Sequence, residues 1–491
     1  MANIKALAGQ TAIYGVSTIL SRLLNYALVP LHVYIFKETA DYGVVGELYA
    51  WVSLVMVFLT YGTETAFFRY AKNEIYKDKL VSTIATSLFI TSLIFIVLAT
   101  VCSTTIAGWL RYENHPEYVT WFALIIGIDA FTSIFFASLR QRLQAIKFAA
   151  VKITNIVVNV IMNLFFLLLF PYLLEKQIAV ELVNAIYSPA VGVGYIFISN
   201  LIASIVTFLM LFPELLKIKL SFSWQLWKMV MIYALPLLAF NLAGIVNETM
   251  DRILIRRLSP PDMAQSQVGI YSACYKISIL MTIFVQAFKY AAEPFFFKKS
   301  NDKDAKQTYS DVMSIFVLLL SVIFLGIMLY IDIVQYFVSA NYRVGLKVVP
   351  ILLLANLCLG VFYNLSIWYK LTDKTRFGAY IAIFGAVITL SLNFWLIPIM
   401  GYMGSAYATL ICYFSMVVIS FFFGKKYYPV DYKILRILSY VIGSIVVWQI
   451  STLFSIDNIY LKLSANTLLL LCYLSIVVFF DKKYLFALIK R

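Results

Sequence analysis

Arg22 and Asn25 stand three residues apart in the stretch SRLLNYALVP, so on a helix they share one face. A guanidinium beside a carboxamide offers charged donors to an anion and a hydrogen-bonding group next to them. The same side-chain types return in mid-chain, where residues 234–297 hold two long apolar runs threaded with Asn241, Asn247, Asp251, Arg252, Lys276, Gln286, Lys289 and Glu293. Asn247 and Asp251 share a helical face. At about 100° per residue, Gln286, Lys289 and Glu293 fall within about 60° of one another, and Lys276 lies well off that arc. This is binding chemistry: cations for an anion, amides for polar groups, and carboxylates (Glu47, Asp251 and Glu293) that can carry a proton or Na⁺ or balance a cation. Bond-making chemistry finds little support. The chain has two histidines, His32 and His115, no HExxH, no convergent His/Cys/Asp set for a metal, and no GxxxxGK[ST] loop that would take ATP.

Groups like these are expensive in hydrocarbon and normally face a bundle interior or a wet cavity. That setting is what the composition predicts. The 491 residues are 62% apolar and 13% charged, with a mean hydropathy of +0.88, which points to an all-α polytopic membrane protein with no soluble domain left over. Fourteen spans are expected, at 10–35, 42–63, 82–108, 118–139, 152–173, 187–212, 228–255, 269–296, 309–334, 345–367, 376–397, 401–423, 434–454 and 464–480. The first is expected to be retained, because it lacks a short apolar core followed by a small-residue cleavage site. With the N-terminus cytoplasmic, twenty-seven Lys and Arg fall on inner segments, nine on outer ones and three inside spans. A missed helix would scramble that asymmetry, so both termini are expected in the cytoplasm. The net charge of +15 is thus topological rather than a sign of nucleic-acid binding. The five cysteines lie in or at the ends of apolar spans without a CxxC pair and read as small hydrophobes.

Sliding the chain by 226 residues sets DYGVVGELYAWV (41–52) on QVGIYSACYKIS (267–278) and Asn25 on Asp251, and an offset of 230 sets Asn163 on Asn393. Two parallel six-helix lobes are therefore expected: 1–213 as the N-terminal lobe, 214–227 as a cytoplasmic linker, 228–423 as the C-terminal lobe, then 424–491 with spans 13 and 14 and a cytoplasmic tail. The linker reads either as an interfacial helix anchored by Trp224 and Trp227 or as an extended connector.

Several residues have two readings. Arg22 is either a cavity cation or the partner of Glu47 or Glu64. Glu64 and Arg69 are expected to pair with each other at the membrane surface. Arg252, with Arg256 and Arg257, either snorkels to headgroups or holds an anion at the outer mouth. Asn155, Asn159 and Asn163, spaced by four, are expected to bind helices together, with sugar contact as the lesser reading. In GYMGSAYATL (401–410) the small residues favour close helix packing over a phosphate loop.

The segments SRLLNYALVPL (21–31), ASLRQRLQAIKFAAVKITNIVVNVIMNLFF (137–166), NETMDRILI (247–255), GIYSACYKIS (269–278), FVQAFKYAAEPFF (284–296) and SLNFWLIPIMGYMGSAYATLICY (391–413), in this order, resemble Wzx-type polysaccharide flippases. These belong to the multidrug, oligosaccharidyl-lipid and polysaccharide exporter superfamily. The resemblance implies a V-shaped pair of lobes with alternating access, carrying an undecaprenyl-diphosphate-linked oligosaccharide across the bacterial inner membrane for O-antigen, capsule or exopolysaccharide synthesis. It implies no cofactor, coupling to H⁺ or Na⁺, and as partners membrane lipids, a polysaccharide polymerase and a chain-length regulator. Arg22 looks like the cavity arginine found early in helix 1 of related flippases, and Asp251 falls in this chain's version of the helix 7 pattern. Peptidoglycan-precursor flippases also have fourteen helices. The drug-exporting branch usually has twelve.

Overall fold

The computed structural model describes residues 2–71, 77–218, 221–300, 302–454 and 456–489, with side chains described there except at 2–14, 16, 77–78, 290, 291, 294 and 483–489. Of the basic residues counted above, Lys72, Lys219, Lys490 and Arg491 lie outside the described residues, as do the side chains of Lys5, Lys77 and Lys483. Fourteen long helices follow one another: α1 Ala2–Ile35, α2 Thr39–Thr60, α3 Lys77–Val101, α4 Pro116–Gln141, α5 Ala145–Leu164, α6 Gly194–Leu216, α7 Trp224–Leu258, α8 Pro261–Lys299, α9 Ala305–Leu329, α10 Val349–Leu365, α11 Arg376–Met400, α12 Tyr402–Tyr427, α13 Ile434–Leu453 and α14 Ile459–Ile489. Within hydrocarbon every backbone amide must be satisfied inside its own segment, and helices do this. Thirteen helices among the described residues are long and apolar enough to cross a membrane. The exception is α1, whose apolar run is diluted by Arg22, Asn25 and His32.

Several of the expected spans are interrupted. The third breaks at Cys102 and continues as the short helix Ser103–Leu110. The fifth passes through a π-turn, Phe165–Leu169, just before Pro171, a local adjustment that re-satisfies the backbone near a residue with no N–H. By contrast α1 runs as one helix through Pro30.

The described chain divides into two compact units, 1–253 and 254–491, with most of α7 counted in the first. In the first, α4 is central: 72% of its most apolar window is buried. Small residues make this possible. A Cβ on Gly127 would sit 2.5 Å from Cδ1 of Ile96, so α3 and α4 meet where there is no side chain. Phe67, Leu80, Ile84, Leu88, Phe131, Phe135, Phe148 and Leu211 form the core of this unit, and the first turns of α7 complete it with Leu226, Val230 and Ala234.

Of the expected linker 214–227, residues 214–216 end α6 and 224–227, with Trp224 and Trp227, begin α7, while 217, 218 and 221–223 are not helical. The backbone N–H of Ser221 donates to Ser82 Oγ at 2.7 Å, and that hydroxyl donates back to the Ser221 carbonyl at 2.9 Å. Trp227 stacks on Trp224 with ring centroids 4.8 Å apart and donates from Nε1 to Ser87 Oγ at 2.8 Å.

In the second unit, α10 packs on α8, α9 and α12, and α12 packs on α11. The same pairs occur six helices earlier in the first unit: α2 with α4, α3 with α4, α4 with α6, and α5 with α6. Gly401, at φ +56°, opens α12, and a Cβ on Gly404 would sit 2.5 Å from the carbonyl oxygen of Leu396. The small residues of 401–410 thus serve close packing of α11 and α12, as their composition suggests. Of the thirteen apolar helices α13 and α14 are the least buried, each with 17% of its apolar window covered, which leaves their long apolar faces for lipid.

Candidate functional site

In the first unit, α1 packs along α5, and a string of amides joins them. Asn159 donates to Asn25 Oδ1 at 3.3 Å, Asn163 donates to the Asn159 side chain at 3.1 Å, and Asn163 Oδ1 lies 2.8 Å from His32 Nε2. One residue lower on the stripe, Asn155 donates to Thr207 Oγ1 at 2.8 Å and to the Ala203 carbonyl at 3.1 Å, tying α5 to α6. The asparagine ladder is helix glue, and it also fixes the α1 face that carries Arg22. His32 is the buried α1 residue that Asn163 meets.

Arg22 is exposed, and among the described residues no carboxylate lies within ion-pair distance of it. Both acids named as its partners are engaged elsewhere. Glu47 is fully buried and accepts a hydrogen bond from the Tyr112 hydroxyl at 2.5 Å. Glu64 pairs with Arg140. The expected Glu64–Arg69 pair does not form, because residues 63–70 are a short helix on which positions five apart diverge by about 140°. Arg69 instead lies 4.3 Å from the Tyr233 ring centroid, and Arg140 lies 5.0 Å from that of Phe68.

Asn247, Asp251 and Arg252 are all buried on α7. Asp251 Oδ1 accepts from the Arg252 backbone N–H at 2.8 Å and from its Nη1 at 3.0 Å, and the same Nη1 donates to the Glu248 carbonyl at 3.2 Å. Arg252 is 9% exposed, so it turns inward to its neighbour rather than snorkelling to headgroups. It also lies within electrostatic reach of Tyr42 on α2.

Asp129 was missed. It is the single acid in the fourth span, FALIIGIDAFTS, and faces Lys152 on α5 within electrostatic reach. An acid in the middle of an apolar run was the signal that should have marked it.

In the second unit, Lys276 and Gln286 are half-buried on α8. Lys289 Nζ stands 4.6 Å from the Tyr363 ring centroid. Glu293, one turn on, pairs with Lys370 from the short helix Ile367–Leu371 that follows α10. Lys289, Glu293, Tyr363, Asn364, Ser366 and Lys370 line one recess of about 260 Å³, measured to its open mouth. The helical wheel thus brought Lys289 and Glu293 together correctly, while Gln286 is not among the residues lining the recess. Neither Lys370 nor Asn364 carries a sequence signal that sets it apart. No group of three or more His, Cys, Asp or Glu among the described residues is placed to hold a metal ion.

These features sit in a recognisable family setting. The model for the family described as "Polysaccharide biosynthesis protein" matches residues 7–300. No curated protein matches the chain by sequence. Among solved structures, the chain is similar to lipid II flippase MurJ in an inward closed conformation, with a TM-score of 0.72 and 15% identity over 96% of this chain and 100% of that one. An inward-facing multidrug resistance MATE family transporter of the MOP superfamily gives a TM-score of 0.64 at 15% identity, over 86% and 95%. MATE in its straight conformation gives 0.58 at 15% identity, over 89% and 96%. At such identities the likeness is one of fold, and the fold is that of membrane transporters. Since the family model spans well over half of the 491 residues, the chain belongs to the polysaccharide biosynthesis protein family.

Proposed function

We propose that this protein is a flippase that moves undecaprenyl-diphosphate-linked oligosaccharide from the cytoplasmic to the periplasmic leaflet, using fourteen spans in two parallel lobes that alternate in access. The observation that carries this reading is Arg22: a permanent cation in the body of α1, exposed, with neither Glu47 nor Glu64 as counter-ion. A charge so placed is costly unless it serves an anion or a wet path. A diphosphate crossing hydrocarbon has the complementary problem, and a cationic cleft replaces the water it loses. Asn25, held by Asn159, places an amide beside that cation where sugar hydroxyls or phosphate oxygens can be met. The Glu47 carboxyl, buried against a tyrosine hydroxyl, is suited to take up and release a proton, with Asp251 and Glu293 as further coupling groups.

Reconstitution with a fluorescent lipid-linked oligosaccharide tests the reading, with headgroup accessibility on each leaflet as the readout. Arg22→Ala is expected to abolish movement while leaving the yield of folded protein unchanged. Movement at the wild-type rate in that variant would sink the proposal. The fold likeness to lipid II flippase MurJ favours one rival, a peptidoglycan-precursor flippase. Movement of the peptidoglycan precursor but not of a sugar-repeat lipid would select it. Export of a soluble compound without lipid movement would select an ion-coupled exporter.

A further inference from the structure

Asn364 is 2% exposed, yet neither its Nδ2 nor its Oδ1 has a hydrogen-bond partner among the described residues. Buried amides are almost always satisfied, and an orphan at both ends marks a place for something that is not protein. This orphan belongs to the recess lined by Lys289, Glu293 and Lys370. Two ammonium groups and one carboxylate leave an excess positive charge there, the wrong sign for a cation and the right sign for an anion. The charges also differ in exposure. Glu293 is 39% exposed at the side chain and Lys370 25%, so the carboxylate is the group that can swing away into water. As it stands, the enclosed part of the recess is no larger than a single water, although the whole void to its mouth is about 260 Å³. The Glu293 carboxylate lines that void and holds the Lys370 ammonium beside it.

We propose that this recess, at the C-terminal ends of α8 and α10, is an oxyanion site for a phosphate or diphosphate group, kept closed by Glu293 standing in for the ligand. An incoming phosphate oxygen displaces the Glu293 carboxylate from Lys370, accepts the amide hydrogens of Asn364, and gains the Lys289 ammonium held over Tyr363. The site rests on the flippase reading only for the identity of the lipid that would bring the anion; its capacity to bind one stands apart.

The test is equilibrium binding to the full-length protein in nanodiscs by calorimetry, with inorganic pyrophosphate and farnesyl diphosphate as probes. Glu293→Gln, which removes the internal competitor, is expected to bind about tenfold more tightly than wild type. Lys370→Met and Asn364→Leu are expected to bind about tenfold more weakly, and Lys370→Arg to keep most of the affinity. Tighter binding of farnesyl diphosphate supports a lipid-headgroup source, and tighter binding of pyrophosphate a free anion; either supports the oxyanion site. Wild-type protein that takes up neither probe, Glu293→Gln protein that binds no more tightly, or Asn364→Leu protein that binds as well as wild type overturns the proposal. The flippase reading is judged separately by lipid movement in wild-type and Arg22→Ala protein, so either can fail alone.

Discussion

Replacing Asn364 by leucine is expected to make the protein more stable. The side chain is 2% exposed and makes no hydrogen bond among the described residues, so the substitution breaks none. It removes a desolvation penalty of about 1–3 kcal/mol for an unsatisfied buried amide and puts an apolar group of similar size in its place. A companion substitution fixes the sign. Asn393 is 0% exposed but donates to the Thr389 carbonyl at 2.7 Å and accepts from Ser405 Oγ at 2.6 Å. Asn393→Leu leaves that hydroxyl without its acceptor and is expected to lose about 1–3 kcal/mol. The two variants should therefore move in opposite directions in thermal unfolding followed in one defined detergent, by about 2–4 °C per kcal/mol for a unit of this size. Asn364→Leu protein that unfolds at or below the wild-type temperature, while Asn393→Leu falls as stated, would refute the orphan-amide argument. If stability rises and phosphate binding falls together, the amide is retained for its ligand at a cost to the fold.

Arg22→Ala should leave unfolding unchanged within about 0.5 kcal/mol, since an exposed side chain without an ion pair is lost; a clear drop in melting temperature would assign it a structural role. Glu214 on α6 is buried and accepts from Arg142 at 3.4 Å, from Lys147 and from Lys217 at 2.8 Å. Glu214→Ala leaves three cations that are 35–59% exposed and can turn to water, so it should cost only about 1 kcal/mol, read as a lowered unfolding midpoint, with an unchanged midpoint as the contrary result. Gly127→Ala places a methyl 2.5 Å from Ile96 Cδ1 and 2.7 Å from its Cγ1 and should cost about 1–3 kcal/mol; Ile96→Ala, which removes both atoms, should cost less in the Gly127→Ala protein than in the wild type, and an equal cost in both would locate the strain elsewhere.

Much of the scaffold was legible because membrane insertion depends on summed transfer energies over about twenty residues, an average that survives local detail. The close approach of α11 and α12 was readable in GYMGSAYATL for a similar reason: small residues in series permit only a few outcomes. Pairing was harder to read. Glu64 finds Arg140 rather than Arg69, and Glu293 finds Lys370, seventy-seven residues away, because these partners depend on how each helix is rotated about its axis. Periodicity does fix which residues share a face, and it placed Lys289 with Glu293. It says nothing of what that face meets, so Asn364, inconspicuous in VFYNLSIW, gained meaning only from the recess around it.

The hydrogen bonds that hold residues 221–223 and Trp227 against α3 also bear on how the chain is made. Leu226, Val230, Met231 and Ala234 are part of the core built around Phe67, Leu80, Ile84 and Leu88, so the first six long helices do not finish their own packing. During synthesis that apolar surface waits until α7 has emerged. A fragment ending in the linker would carry the open face with it and is expected to associate or be degraded, whereas one ending after Leu258 closes it. The natural point at which to divide this protein is therefore the far end of α7, although the sequence places its most obvious hinge before it.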